Sequence, residues 1–414
     1  PGIFVDETNA ATDALYLLEG RAASPFATGW YETPNGYIYY MAGLFKLLGA
    51  NFLSLKLASL IPAILTVPAV FLLARELFGP TVGLTAMFLL AVNRWHMTMS
   101  RWAWNETAPP LFLTLSAYFL LRGLRTRRAL DYAVGGLLGG AMLYTYLSSR
   151  LAAATLALFL LVWVLADPDG PVQGWRRTWR GGLLYALAAL IVAAPLLVTY
   201  ASDSFAFLNR SLQISVFNDV REAGGYAPLW ANVADYARMF FDQGDMNGRH
   251  NLPGAPMLDP ITALFFAVGL AYSLFRLRDR RRHLLLLWVL LNLAGGILSE
   301  RATAPNAYRT LNVVVAVVIL AGDALVRSGW GMVKGRLGDW EIGGLERRGV
   351  GSVVGALLLV AGAVNVYTYF GPQARSPHVQ SSFNFAETAT AQDVLAALDR
   401  GETVYLTPRM YHFS

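Results

Sequence analysis

The sequence predicts an all-α polytopic membrane protein, with juxtamembrane helices and the start of a small α/β domain on one side of the bilayer. Three observations predict it. The 414 residues are 55% hydrophobic and only 14% charged, too few charges to cover a soluble domain of that size. The apolar residues gather in blocks long enough to cross a bilayer, and the mean hydropathy is +0.43. The arginines fall in short clusters between those blocks, which is the pattern of membrane topology. The formal charge of +6 comes with no nucleic-acid-binding motif. The absence of cysteine excludes disulfides, zinc–thiolate sites and cysteine nucleophiles.

Ten spanning segments are predicted, near 53–74, 81–96, 107–122, 131–147, 151–166, 182–200, 260–276, 284–298, 308–326 and 350–370. The loops between them alternate in character. One set is basic: Arg122, Arg125, Arg127 and Arg128; Arg176, Arg177 and Arg180; Arg276, Arg278, Arg280, Arg281 and Arg282; Lys334, Arg336, Arg347 and Arg348. The positive-inside rule makes these cytoplasmic. The other set, 1–52, 97–106, 148–150, 201–259, 299–307 and the tail beyond about 371, must then face outward. The chain divides accordingly into a first outer segment (1–52), a membrane bundle (53–370) with one large outer loop at 201–259, and the start of an outer C-terminal domain (371–414). Because it opens on Pro1 inside a polar segment, the chain is expected to be a fragment lacking at least an upstream helix.

Within the first outer segment, residues 37–48 are apolar but too short to span. Lys46 can snorkel, so a helix lying on the bilayer surface is expected. In the tail, 387–399 reads as an amphipathic helix and 403–407 as a strand.

The polar chemistry lies on the outer face. Asp6 and Glu7 are adjacent carboxylates opening the first outer segment. The plain reading is that Asp6 caps a helix running to about Glu19 and ended by Gly20, with Glu7 favouring the same N-terminus. A capping position also fixes a carboxylate in space. Glu32, in Tyr31-Glu32-Thr33-Pro34, reads either as an ordinary loop residue or as a second functional carboxylate. Two such groups can share a divalent cation or divide the work of base and support. The stretch Ser100 to Glu106 joins two spans. Its Arg101 and Glu106 read either as an ion pair between interfacial tryptophans or as ligands to an anion. Arg249 and His250 precede a Pro-Gly turn, and Arg309 stands before the ninth span. These suit either lipid headgroups or one bound phosphate.

Taken in order, these segments resemble family 39-type glycosyltransferases, the GT-C fold enzymes related to protein O-mannosyltransferases and to the aminoarabinose transferase of lipid A. Asp6-Glu7 resembles the family's acidic pair. Tyr31-Glu32-Thr33-Pro34 followed by Tyr37-Ile38-Tyr39-Tyr40 resembles the acidic stretch before an aromatic juxtamembrane helix. Leu73-Ala74-Arg75-Glu76-Leu77-Phe78-Gly79 resembles the cytoplasmic end of the next span, and Trp95-His96 through Arg101 the following outer turn. Two positions depart from the aminoarabinose-transferase branch: Thr33 stands where that branch has Lys, and Asn9 where it has Arg. Its substrate is therefore not carried over.

The resemblance implies a GT-C-type helical bundle in a bacterial plasma membrane. It implies a transferase that takes a sugar from a polyprenyl-phosphate donor in the outer leaflet and passes it, with inversion, to an acceptor hydroxyl of a protein, lipid or glycan. Asp6 would be the general base, with Glu32 and Glu7 orienting it or sharing a divalent cation. Tyr31, Arg101, Glu106, Arg249, His250 and Arg309 would bind substrate, the cations stabilising the departing phosphate. The rival readings are a transporter or lipid flippase, and a non-catalytic scaffold. Transporters place ionisable residues near the bilayer midplane. Here the spans are nearly uncharged, with Asp323 the main exception.

Overall fold

The computed structural model describes residues 2–21, 24, 26, 34–337 and 344–405, without the side chains of residues 204, 206 and 330–350. Tyr31, Glu32 and Thr33 lie outside the described residues, as do 406 and 407 of the expected strand.

Two short helices open the chain, α1 (Val5–Leu18) and α2 (Gly36–Leu48). The bundle follows: α3 (Phe52–Phe78), α4 (Pro80–Val92), α5 (Arg94–Ser100), α6 (Ala108–Thr126), α7 (Ala129–Met142), α8 (Ser149–Leu165) and α9 (Pro171–Ser202). The large loop folds into α10 (Ser204–Gln213), α11 (Val216–Glu222) and α12 (Ala227–Arg238). The bundle closes with α13 (Pro260–Leu274), α14 (Arg280–Ile297), α15 (Val313–Leu337) and α16 (Gly344–Thr368), and the tail adds α17 (Pro377–Ser382) and α18 (Phe385–Asp399). Each of the ten expected spans therefore meets a helix. By length and composition, three described helical stretches suffice to cross a membrane: 52–78, 171–202 and 351–373.

Two expectations need correction. The second span is not continuous to residue 96. It breaks at Asn93, whose extended backbone lets its side chain accept from His96 N at 3.0 Å and start α5. In the tail, α18 forms as expected, but 403–405 carry no strand.

A helix apolar on every side belongs at the centre of a bundle. Helix α15 is one: each residue from Val313 to Ala321 is fully buried. Its β-branched run would favour a strand in water, but a lone segment in lipid satisfies its backbone only as a helix. Glycines let the helices around it approach closely. A Cβ on Gly269 of α13 would lie 2.2 Å from Leu320 O. On α7, Gly136 and Gly140 face Tyr185 O and Ala189 O of α9 at 2.2 and 2.3 Å from an added Cβ. That pair is a small-xxx-small packing face.

Ion pairs sort into the two ends of the bundle. One end holds Glu76–Arg125, Asp131–Arg122 at 3.4 Å, Asp167–Arg280 at 2.9 Å and the buried Arg282–Asp323 pair at 2.9 Å. Asp323 also takes Arg327 at 2.7 Å, so this one acidic residue inside a span sits in the basic end. The other end holds the pairs of Asp6, Glu7, Asp235, Asp245 and Glu300. Among the described residues no ion pair joins a basic-loop residue to one from the opposite set of loops.

Helix α2 lies at this second end. Tyr37, Met41, Ala42 and Phe45 are buried in one cluster with Ala10 and Ala14 of α1 and Leu55 and Ala58 of α3. Its Lys46 is exposed and Leu47 is 80% exposed, the disposition of a helix resting on a bilayer surface.

The glycine face gives a test. Gly140→Ala places a methyl against the backbone of α9, an overpacking that costs about 1–3 kcal/mol. The melting temperature of the detergent-solubilised variant should fall, whereas Gly43→Ala, which meets nothing within 4 Å, should leave it unchanged.

Candidate active site

Glu7, rather than Asp6, starts α1. Its Oε2 accepts from Phe4 N at 2.8 Å, while its Oε1 accepts from Lys56 Nζ and from Ala103 N at 2.7 Å. The side chain is fully buried. The expected cap at Asp6 is thereby corrected: Phe4 is the capping residue, Asp6 lies in the first helical turn, and its carboxylate is released from backbone duty. The helix ends on Leu18 and Gly20 takes φ +76°, close to the expected stop.

The freed Asp6 carboxylate faces Arg249 at 3.6 Å, each side chain about a quarter exposed. Arg249 is held by packing as well as charge. Its guanidinium lies 4.1 Å over the Phe4 ring and 5.5 Å over Trp102, a geometry that adds cation–π attraction. Burial pushes the Asp6 carboxyl above its ordinary 3.8, while Arg249 pulls it down and His250 and Arg210 act in the same sense. A carboxylate shifted upward is a better proton acceptor near neutral pH.

Behind Arg249 is His250, buried, with Nδ1 2.7 Å from Asp245 Oδ2. That oxygen also accepts from Ala307 N at 2.7 Å, and Asp245 Oδ1 accepts from Asn247 N at 2.7 Å. The His250 ring is stacked on Tyr308 (centroids 5.7 Å apart, 18° between planes) and tilted against Trp102 at 5.4 Å. Trp102 in turn stacks on Trp104 at 6.0 Å and meets Phe4 edge-on. One aromatic layer thus orients the cation, the imidazole and the start of α1.

The remaining expected residues are placed differently. Arg101 forms no pair with Glu106. Its Nη1 donates to the Tyr369 hydroxyl at 2.8 Å, and it lines a cavity of about 160 Å³ with Gly2, Gln373 and Phe383. Glu106 is buried, with Oε1 accepting from Ser148 Oγ at 2.8 Å and Oε2 without a hydrogen-bond partner. Burial holds its carboxyl well above the usual range. Arg309 donates to Glu300 Oε1 at 2.9 Å and Thr303 Oγ1 at 3.1 Å, with its side chain 13% exposed. Asp6, Arg249 and His250 therefore converge, Arg101 and Arg309 lie on separate neighbouring surfaces, and Glu106 sits in the interior. Tyr31 and Glu32 fall outside the described residues. Among the described residues no three His, Asp or Glu side chains are grouped to hold a metal ion.

Three contributors went unsingled in the sequence: Lys56, Asp245 and Tyr308. Lys56 carried a signal, being a lone cation in the first turns of an otherwise apolar span. Asp245 was one of six aspartates in the large loop, and no spacing marked it out.

Residues 32–199 match the family model described as dolichyl-phosphate-mannose-protein mannosyltransferase. Among solved structures, ArnT from Cupriavidus metallidurans bound to undecaprenyl phosphate aligns with a TM-score of 0.57 at 17% identity, over 92% of this chain and 70% of that one. The archaeal oligosaccharyltransferase AglB from Archaeoglobus fulgidus, in complex with an inhibitory peptide and a dolichol-phosphate, aligns with a TM-score of 0.52 at 14% identity, over 92% of this chain and 52% of that one. The fold is that of the GT-C glycosyltransferases. The resemblance read from the sequence is borne out at this level, and no curated protein matches the chain. The family match spans α2 to α9 of the GT-C bundle. Asp6, Arg249 and His250 lie outside it, so their roles rest on geometry.

The Glu7 network yields the next prediction. Lys56→Ala leaves a buried carboxylate without its cation, a change that costs about 3–5 kcal/mol. The variant should unfold at a distinctly lower temperature than Lys46→Ala, which alters an exposed cation. Equal melting temperatures would show that Glu7 does not hold this end together.

Proposed function

We propose that the protein transfers a sugar from a polyprenyl-phosphate donor to an acceptor hydroxyl, with inversion, at the end of the bundle that carries Asp6. The observation that carries this reading is the Asp6–Arg249 pair. It sets a carboxylate on a fixed helix start beside a stacked cation and a buried imidazole.

The acceptor oxygen attacks the anomeric carbon as its proton passes to Asp6. The new C–O bond forms as the bond from that carbon to the phosphate oxygen breaks, and the lipid phosphate leaves with the electron pair. Charge grows on that phosphate in the transition state, and preorganised cations lower the barrier most where charge grows. Arg249 is the group for this task, with the His250 imidazole behind it. His250 is oriented by Asp245, which fixes which ring nitrogen faces the site. Glu7 acts as a positioning residue, since its oxygens are already occupied. Glu32 would support Asp6 or share a divalent cation with it.

An apolar groove of about 260 Å³, lined by Tyr37, Tyr40, Ile61, Leu65, Leu111 and Phe112 among others, offers a place for the isoprenoid. The ligands named for the solved structures, undecaprenyl phosphate in ArnT and a dolichol-phosphate in AglB, support a lipid-phosphate donor here. The basic clusters at the opposite end support a site facing out of the cytoplasm, and we place the protein in a bacterial plasma membrane.

Asp6→Asn tests the base. General-base catalysis contributes about 10²–10⁴-fold, so transfer from a polyprenyl-phosphate sugar in membrane vesicles should fall by that order, with insertion unchanged. Full activity would end the reading. Stability should move the other way. The folded Asp6 carboxyl lies above its unfolded value, so its contribution to stability is present below pH 3.8 and lost as pH rises through the folded value. At pH 7 the melting temperature of Asp6→Asn should not fall below wild type.

The pH profile gives a separate check. Protonated Asp6 cannot accept a proton, so activity should rise with pH through its folded pKa. Arg249→Ala removes an interaction that lowers that pKa. The acid limb of the profile should shift to higher pH, and a limb that stays in place would remove Asp6 from its origin.

A further inference from the structure

A cleft of about 550 Å³ with mixed polar and apolar walls opens beside Arg249, the partner of Asp6. Phe4 and Arg249 form one wall, the turn around Thr303 and Asn306 a second, and α17 with His378, Ser381 and Ser382 a third. The loop carrying Arg249 approaches α17 closely. A Cβ on Gly248 would lie 2.6 Å from Ser382 Oγ and 2.7 Å from His378 O. The cleft is distinct from the 160 Å³ cavity at Arg101. Gly2 lines that cavity and Phe4 lines this cleft, so the segment leading into α1 separates them.

The ionised groups in the wall are both engaged. Arg249 faces Asp6, and Asp245 accepts from two backbone N–H groups while bonding His250. Beyond these, the wall mixes the amides and hydroxyls of Asn247, Thr303, Asn306, Ser381, Ser382 and Asn384, several of them already bonded within the protein, with the apolar Phe4, Met246, Ala302, Ala304 and Pro305. The amides and hydroxyls offer donors and acceptors together.

We propose that this cleft holds the acceptor and that the acceptor is an uncharged glycan. The inference rests on the transferase reading and names the acceptor class for the same site. A sugar hydroxyl both donates and accepts, so it can replace at these side chains the water it displaces. A wholly fatty acceptor would displace water from the side-chain amides of Asn247, Asn306 and Asn384 without replacing its hydrogen bonds, which costs free energy. A phosphorylated or acidic acceptor would compete with the donor phosphate for Arg249 and would approach the Asp245 carboxylate. One way of holding an extended peptide is to pair its backbone with a free sheet edge, and none of the residues lining this cleft is in a strand or bridge. The volume lies in the ordinary range for a small-ligand site, roughly 300–1,000 Å³. Arg249 lines the cleft and lies 3.6 Å from Asp6, so an acceptor hydroxyl held against Arg249 is placed near the proposed base.

Saturation-transfer NMR on the purified full chain tests this with maltotriose, cellotriose and mannotriose, a neutral Ser/Thr peptide, and undecaprenyl phosphate as probes. At least one trisaccharide should bind both wild type and Asp6→Asn. Ser382→Trp, which projects into the cleft, should weaken it by about tenfold or more, equivalent to about 1.4 kcal/mol. Ser382→Ala, which removes one wall hydroxyl, should weaken it far less. Undecaprenyl phosphate binding should be retained in Ser382→Ala, and the melting temperatures of both Ser382 variants report that they are folded. The proposal is overturned if no trisaccharide binds, if Ser382→Trp leaves trisaccharide binding intact, or if the peptide alone binds and is lost in Ser382→Trp. The transferase reading fails on a different result, retained sugar transfer by Asp6→Asn, so the two failures are distinguishable.

Discussion

The end of the bundle that carries the site is organised around one buried carboxylate. Glu7 gathers donors from three parts of the chain: the N–H of Phe4 at the start of α1, the ammonium of Lys56 on α3, and the N–H of Ala103 in the turn after α5. Withdrawing a carboxylate from water is costly unless it is paired and hydrogen-bonded. With these donors satisfied, the cost becomes a constraint, because moving any of the three elements would strand the charge. Successive helix positions point about 100° apart, from 3.6 residues per turn. Fixing Glu7 inward therefore turns Asp6 away from the core and toward Arg249. The two adjacent acids divide: one holds the frame and the other is left facing Arg249.

Around that frame the aromatic rings do what hydrogen bonds alone would not. Trp102 touches Phe4, Trp104, His250 and Tyr308 within a few ångströms. It comes from the same turn whose next residue bonds Glu7. The rings limit the motion of Arg249 and His250 and lower the local dielectric, so charges placed there act on one another more strongly than in water. The upward displacement of Asp6 follows from the same burial. The upward shift and the packing of its surroundings share one cause.

The sequence made the scaffold legible because lipid leaves the chain few choices. Apolar blocks in a bilayer must be helices, and ten of them were readable from hydropathy and charged loops. The sorting of ion pairs into two ends repeats the alternation of basic and mixed loops. The site was legible only in part. Asp6 and Arg249 stood out as charges in outer segments, but nothing local said that they would meet across more than two hundred residues. Their meeting depends on tertiary packing that no spacing encodes. Lys56 was absorbed into the hydropathy of its span, and Glu7 was read as a partner in chemistry when its environment makes it a tie. The capping role went to Asp6 because N-cap preference favours it. The structure instead caps through a side chain in the first turn, which satisfies a backbone N–H equally well.

The same packing bears on the choice between surface chemistry and transport. A carrier with its site at the bilayer midplane needs broken helices or polar groups there, lining a path that opens to alternate sides. In this bundle the central helix presents nine consecutive apolar residues, Val313 to Ala321, each fully buried. A close-packed interior of this kind resists deformation. The interior ionic cluster of Arg282, Asp323 and Arg327 lies among the basic loops and is internally paired. Asp6, about a quarter exposed, lies at the other end, where the cleft lined by Arg249 and the small cavity at Arg101 flank the segment leading into its helix. A solid bundle with its reactive groups at one end is suited to holding a lipid by its tail while its head is worked on from the water.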